Sequence, residues 1–144
     1  MIDELATAIV ARYDAAAGAA LRTKLGDGGT ASTRKLWQSE APQGTATPYA
    51  TFEFVGTALG MSMGSDLPRP LVQFGVWDDN ASPRTAEQAA DLLVALFNSA
   101  LLTLSGGYTT LRADPIQPGR TLRDPDGGWE VIVEMEYTLE VART

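Results

Sequence analysis

The stretch that decides the fold is Trp129–Val141, which reads WEVIVEMEYTLEV. Apolar and polar side chains alternate along it, and Ile132 is the one apolar residue at an otherwise polar position. A β-strand turns successive side chains to opposite faces, so the pattern predicts one apolar and one acidic face. At about 3.3 Å per residue this strand is roughly 40 Å long. The acidic face carries four glutamates, Glu130, Glu134, Glu136 and Glu140.

The composition excludes most catalytic and metal-binding chemistry. The chain has 144 residues, which suits one domain with its own core, and it contains no cysteine and no histidine. Disulfides, thiolate metal sites and histidine-dependent catalysis are therefore excluded. The remaining enzymatic candidate is the carboxylate pair Glu134 and Glu136, of the kind that glycosidases use. Because this pair belongs to a ladder of acids rather than to a cleft, we predict a non-enzymatic protein without a cofactor or metal.

The charge balance limits the partners. The 11 basic and 18 acidic residues give a net charge of −7, and the bases form no run. Nucleic acids and anionic membranes are bound mainly through cationic contacts, so neither is expected as a specific ligand. No apolar run approaches the length of a transmembrane helix, and the acidic N-terminus lacks the features of a signal peptide. We expect the protein to be made in the cytoplasm and to stay there or enter an assembly made there.

Two helices and four to five strands are predicted. Apolar residues at helical spacing indicate helices at residues 3–25 and 83–104. Clear strands fall at 49–57, 71–77 and 129–141, and shorter ones at 34–40 and 108–112. Residues 114–128 are predicted to be mostly loop, and a short strand at 120–123 is the alternative. Hairpin-length connections favour an α+β fold, an antiparallel sheet of about four to five strands with both helices packed on one face. No other segment is long enough to pair with all of 129–141, so we expect that strand to leave an open edge.

Two connecting segments stand out within this single domain of residues 1–144. Residues 26–33 are Gly-rich and are predicted to form a flexible linker after the N-terminal helix. Residues 59–70 form either a loop or a protruding hairpin that continues the strand before it. Methionine beside glycine suits an adaptable contact surface, and folding of both methionines back onto the core is the alternative. The candidate contact residues of this segment are Leu59, Met61, Met63, Asp66, Leu67 and Arg69.

Three stretches resemble a family of tailed-phage proteins. Residues 41–52 (APQGTATPYATF) look like a turn, small residues and Pro-Tyr leading into an apolar strand. Residues 74–78 (FGVWD) form an aromatic strand before the second helix, and residues 126–130 (DGGWE) open the last strand. Together they resemble the tail completion, or tail-to-head joining, proteins of long-tailed phages, which are related in fold to tail terminators. The resemblance extends over about residues 1–142.

The resemblance implies a structural virion protein at the head-proximal end of a tail. Such proteins form a ring, commonly a hexamer, that terminates the tail tube and meets the head connector, leaving a channel for DNA. Its partners would be copies of itself, the tube protein and the connector protein, with no membrane and no specific DNA binding. A small acidic adaptor outside any virion is the alternative function.

An acidic surface suits such a channel because it repels DNA phosphates. We therefore consider that some of the four glutamates face the lumen, and the alternative is that they form the solvated outer face of the sheet. The segment at residues 59–70 is the candidate contact with the tube or connector.

Overall fold

The computed structural model describes residues 2–62, 65–98, 102–116 and 119–141. The described helices are α1 (Ile2–Asp14), α2 (Ala19–Leu25) and α3 (Arg84–Phe97), with short 3-10 turns at Ala16–Gly18 and Ala31–Thr33. The strands are β1 (Leu36–Gln38), β2 (Tyr49–Ser62), β3 (Ser65–Asp78), β4 (Tyr108–Pro115), β5 (Arg120–Arg123) and β6 (Trp129–Val141). None of these helices is both long and apolar enough to span a bilayer.

The predicted N-terminal helix is broken into α1 and α2 at Gly18. A Cβ atom at Gly18 would lie 2.0 Å from the backbone oxygen of Tyr13, so only glycine fits this close approach. The break frees carbonyl groups that a continuous helix would use, and the Arg22 guanidinium donates to those of Tyr13 and Ala15. Helical periodicity was correct on both sides of the break, but the prediction of one continuous helix is wrong.

The second helix ends earlier than predicted. It begins at Arg84, and its last hydrogen-bonded turn closes where the Asn98 N–H donates to the Val94 oxygen at 2.7 Å. Thr103 lies in a β-bridge rather than a helix, so the predicted end at residue 104 is wrong. Residues 99–101 lie outside the described part of the chain.

The six strands form one mixed sheet in the order β1-β2-β3-β6-β4. Strand β5 pairs with β6, on the same side of β6 as β4 does. The α+β class is confirmed, with six strands instead of four to five and three helices instead of two. All described pairings are antiparallel except β1 with β2, which is parallel. The ten-residue connection between β1 and β2 is long enough to cross over, and hairpin-length reasoning missed that possibility.

The prediction that the last strand leaves an open edge along its length is wrong for most of β6. On one side β3 pairs with it from Asp78↔Trp129 to Leu71↔Glu136. On the other side β5 pairs with its first residues and β4 with its last ones. Strands β5 and β4 therefore follow each other along this side of β6 and together cover most of its length, which no single segment is long enough to do. Only from Tyr137 onward does β6 lack a described partner on the β3 side.

The core lies between this sheet and the three helices. The apolar side of β6 is buried as predicted, and it meets the apolar sides of β2, β3 and α3. The ring of Phe74 on β3 stacks on Phe97 of α3 at 5.1 Å between centroids, and Phe52 of β2 lies 6.1 Å away. The described helices therefore cover one face of the sheet, and none of them lies on the other face. The core residues of β6 are Val131, Val133, Met135, Tyr137 and Leu139.

The segment after α2 is tied to the core through Asp27. Its carboxylate accepts hydrogen bonds from the Tyr13 hydroxyl at 2.7 Å and from the backbone N–H groups of Gly29 and Lys35. Burial alone would raise the pKa of Asp27, but these hydrogen bonds hold that pKa below its usual value. Burial of the Tyr13 side chain raises the pKa of its hydroxyl group, and the hydrogen bond that this hydroxyl donates to Asp27 raises it further. The predicted linker thus contacts the first helix through a charged group.

Candidate functional site

The face of the sheet opposite the helices, here called the open face, carries the acidic side of β6. Register fixes the other residues on this face, because side chains opposite each other in neighbouring strands point the same way. Gln73 of β3 lies between Glu53 of β2 and Glu134 of β6. In the next polar row Leu71 lies beside Glu136, which is opposite Asp114 of β4. All four predicted glutamates lie on the open face, at Glu130, Glu134, Glu136 and Glu140.

Glu130 lies at the end of the open face where aromatic side chains collect. Trp77 stacks on Tyr49 at 6.5 Å between centroids, and its indole N–H donates to the Thr51 hydroxyl at 3.4 Å. A Cβ atom at Gly75 would lie 3.2 Å from the Glu130 Oε1 atom, so the carboxylate leans over the glycine. Partial burial raises the pKa of Glu130, and the negative charges of Asp124 and Glu53 add to the shift.

The other three glutamates differ in their surroundings. In the middle row the Gln73 amide donates to Glu53 Oε1 at 3.4 Å, with Glu134 on its far side. Glu136 forms an ion pair with Arg69, at 3.8 Å between Nη1 and Oε1. Glu140 is exposed and lies opposite Thr109 of β4. Partly exposed ion pairs contribute little free energy to folding. The contact therefore fixes the position of Arg69 on β3, close to where the pairing of β3 with β6 ends, more than it stabilises the fold.

These carboxylates form an extended surface and not a reaction centre. Glu134 and Glu136 neighbour each other on the strand, yet one faces Gln73 and the other pairs with Arg69. Among the described residues, no three acidic side chains come together where they could bind a metal ion. A groove of about 580 Å³ lies instead between the loops at residues 31–37 and 42–46. Lys35 in that groove is buried and donates to the Ala46 carbonyl at 2.5 Å, so it ties the loop before β2 to the start of β1.

The predicted contact segment is a hairpin. Beyond Leu71, the last residue of β3 that pairs with β6, strands β2 and β3 remain paired from Thr57↔Pro70 outward to Ser62↔Ser65. In the described part of the chain these residues pair only with each other, so they form a two-stranded ribbon. The backbones of Leu59, Met61, Asp66 and Leu67 lie on this ribbon, Arg69 lies at its base, and Met63 lies outside the described residues.

Comparison with known proteins identifies the family. The family description "Tail completion protein gp17" matches residues 7–140. The chain belongs to this family. It is therefore a structural component of a virion tail, as the sequence resemblance implied, and a role as an adaptor outside virions is disfavoured. A search of curated proteins returns no match.

One solved structure supports the fold assigned to this tail completion family member. A chain from the virion of a native gene transfer agent (GTA) particle aligns with a TM-score of 0.79 and 18% identity, covering 96% of each chain. A second solved structure aligns with a TM-score of 0.49 and 17% identity, covering 88% of this chain and 95% of that one. The first alignment shows that the two proteins share a fold.

Sequence reasoning missed two open-face residues in this tail completion protein. Glu53 and Gln73 extend the polar surface across two further strands, because the register places Gln73 beside Glu134 and Glu53 beside Gln73. The available signal was the alternation in residues 49–57 and 71–77, which puts both side chains opposite the apolar face. Linking them to Glu134 required the strand order, which alternation does not give.

The raised pKa of Glu130 predicts a stabilising substitution. A carboxyl group with a higher pKa in the folded state binds more protons when folded, so stability falls as pH rises from the ordinary carboxyl pKa through the raised one. Glu130→Gln removes this loss, and we expect a higher melting temperature than wild type at pH 7 and no gain at pH 4. Melting curves from pH 4 to pH 8 measure the difference. The control is Glu140→Gln at an exposed position, and an equal gain there would contradict the role of burial.

Proposed function

We propose that the chain forms a closed ring, commonly six subunits in such proteins, at the head-proximal end of the tail. The ring terminates the tail tube, joins it to the head connector and leaves a channel for DNA. The observation that carries this proposal is the open face: in the described part of this tail protein, one side of the sheet has no helix on it and is rich in carboxylates. The function is structural, without catalysis, cofactor or membrane.

A carboxylate-lined channel suits DNA that must pass without being held. The open face presents Glu53, Glu134 and Glu140 without a basic partner among the described contacts, whereas Glu136 is paired with Arg69. Phosphates approaching such a surface are repelled rather than bound, since DNA affinity comes mainly from cationic side chains. In this proposal the open face lines the lumen, and the helices form the outer layer.

The β2–β3 ribbon supplies the contact with the tail tube or the connector. A two-stranded ribbon that leaves the sheet reaches beyond the subunit's own body, and its backbone edges are available to another chain. Its residues Leu59, Met61, Asp66 and Leu67 combine apolar and acidic side chains, and Arg69 anchors its base to Glu136. Met63, the other candidate contact residue of this segment, lies outside the described residues. Made in the host cytoplasm, the protein would meet both neighbours during assembly.

The test of the ring is its shape and subunit number. Purified protein at increasing concentration is examined by native mass spectrometry and negative-stain electron microscopy. We expect a single closed species with a central opening, or stacks of such rings. A protein that stays monomeric at the highest attainable concentration contradicts the ring.

The test of the lumen is removal of the four charges. Replacing Glu130, Glu134, Glu136 and Glu140 with glutamine keeps side-chain size and removes four negative charges per subunit. We expect the rings to form as before, because lumen residues make no subunit contact, and DNA retention by the rings to rise in a filter-binding assay at low salt. Rings that fall apart would show that the glutamates are interface residues, and the lumen assignment would then be wrong.

A further inference from the structure

Exposed basic side chains gather at one end of the sheet. Of the basic residues whose side chains are described, three are exposed: Arg84, Arg120 and Arg123. The last two lie on β5, and Arg84 begins the turn of α3 whose Glu87 accepts a hydrogen bond from Thr121 of β5 at 3.0 Å. Two exposed apolar side chains lie at the same end, Ile116 at 43% and Leu122 at 44% of their full exposure. We call these five residues, Arg84, Ile116, Arg120, Leu122 and Arg123, the basic edge.

The opposite end of the sheet has the complementary character. Strand β1 covers β2 only at residues 50–52, and β2 beyond it has no described partner on that side. The uncovered part begins with Glu53, which is exposed, and Val55, which is 46% exposed. Glu40, just after β1, is also exposed. We call Glu40, Glu53 and Val55 the acidic edge.

Both edges also offer free backbone groups. The Asp124 N–H donates to the Gly128 oxygen, so the alternate residues Thr121 and Arg123 turn their N–H and C=O groups away from β6. On β2, Ala50 and Phe52 bond to the β1 side, and by the same alternation the Phe54 N–H points to that side beyond the end of β1, just before the register shift between Phe54 and Gly56. Unpaired strand edges of this kind are templates for pairing with another chain.

We propose that β5 of one copy pairs with the uncovered part of β2 in the next copy, so that the basic edge meets the acidic edge around the ring. This inference rests on the ring proposed above and names the contact that closes it. Three antiparallel steps separate β2 from β5 in the sheet order, so the two strands meet antiparallel in a ring whose axis follows the strands. Arg120 and Leu122 then approach Glu53 and Val55 on the open face, which continues from copy to copy.

Charge and symmetry both favour a second copy of this chain as the partner of the basic edge. At a net charge of −7, most surfaces of two copies repel each other, and the basic edge is the described surface where an acidic neighbour is attracted. The two edges differ from each other, so their contact is heterologous and repeats around a ring instead of closing as a two-fold dimer. The apolar side chains Val55 and Leu122 become covered in the same contact.

Cross-linking tests the pairing directly, because the natural chain has no cysteine. The variant Val55→Cys/Leu122→Cys is treated with a short bis-maleimide that spans roughly 8 Å, the diagonal distance between cross-strand side chains. The two positions lie at opposite ends of the sheet, so links form only between copies. We expect a ladder of covalent multimers that ends at the ring size, whereas each single-cysteine variant gives no product beyond a dimer. Rings that form without a ladder would overturn the pairing.

A charge exchange tests the same contact without cross-linking. We expect Glu53→Arg and Arg120→Glu each to weaken ring assembly by about tenfold or more, and the double variant to recover most of that loss. Asp3→Arg, an exposed position on α1, is the control and should assemble as wild type. Sedimentation velocity measures assembly, and circular dichroism checks that each variant folds. Single variants that assemble normally, or a double variant that stays defective, overturn the pairing while the ring stands; a wild-type protein that forms no ring overturns both proposals.

Discussion

Replacing residues 59–68 by an Asn-Gly turn is expected to abolish the joining of tails to heads while leaving the subunit folded. Ala58 and Arg69 are direct partners in the β2–β3 hairpin, so a two-residue turn closes the shortened hairpin at their position. The replacement keeps the ion pair between Arg69 and Glu136. It also keeps every strand pairing between β3 and β6. Every described residue that it removes pairs with another removed residue.

The size of the effect follows from what such a ribbon contributes to an interface. Losing the central contacts of an interface costs about 3 kcal/mol, which lowers the fraction of joined particles by roughly 100-fold. Counting joined particles in electron micrographs of a complemented deletion strain measures this fraction, and melting curves of the purified variant measure folding. A variant that melts near the wild-type temperature yet joins no heads supports the assignment. A control variant with the natural ribbon and Asp3→Arg should join normally.

Two outcomes would contradict this role of the ribbon. A shortened protein that joins heads at the wild-type level would show that the contact with the tube or connector lies elsewhere. A shortened protein that does not fold would show that the ribbon belongs to the core of the subunit. The second outcome conflicts with the register, because no described strand other than β2 and β3 pairs with these residues.

Local patterns in the sequence predicted which side of each element is buried. Alternation in Trp129–Val141 assigned every core residue of β6 to the correct face, and it assigned all four glutamates to the other. The same holds for Phe52 and Phe74 on their strands. These assignments succeed because the side-chain period is a property of the strand itself and does not depend on its neighbours.

The order of the strands could not be predicted in the same way. It depends on pairings between segments far apart in the chain, and periodicity carries no information about them. For this reason β6 was predicted to have an open edge, although β3 covers one side and β5 and β4 share the other. The parallel pairing of β1 was missed for the same reason. In the described part of the chain, the outermost strands are β1 on one side and β4 and β5 on the other, and β2 has an uncovered edge beyond the end of β1.

Candidate functional residues that share one strand could be predicted from the sequence, whereas those that depend on the order of the strands could not. The glutamates of β6 were found from the sequence because a single strand displays them. Arg120 and Glu53 can be recognised as candidates for a contact between copies only from the sheet order, which places them at opposite edges of the open face. Gly18 was missed as a helix break because glycine is tolerated within helices, and only the close approach of the Tyr13 oxygen makes it necessary.

The largest loss of stability is expected from Phe74→Ala. Phe74 is fully buried at the centre of β3, where its ring stacks on Phe97 and lies beside Phe52, so it joins α3 to two strands. Truncating a buried phenylalanine costs about 3–5 kcal/mol, a large share of the roughly 5–15 kcal/mol that stabilises a domain. For a chain of this size we expect a fall in melting temperature of roughly 10 °C or more.

Two further variants separate the loss of ring stacking at Phe74 from a general loss of stability. Phe74→Leu keeps much of the volume and loses the ring stacking, so its melting temperature should lie between those of wild type and Phe74→Ala. Val55→Ala, at an exposed position on β2, should change the stability of the monomer by no more than about 0.5 kcal/mol. Thermal and urea denaturation at concentrations below ring assembly measure all three, since assembly would itself stabilise the folded subunit. If Phe74→Ala melts within about 2 °C of wild type, α3 is held to the sheet by contacts other than the stack of Phe74 on Phe97.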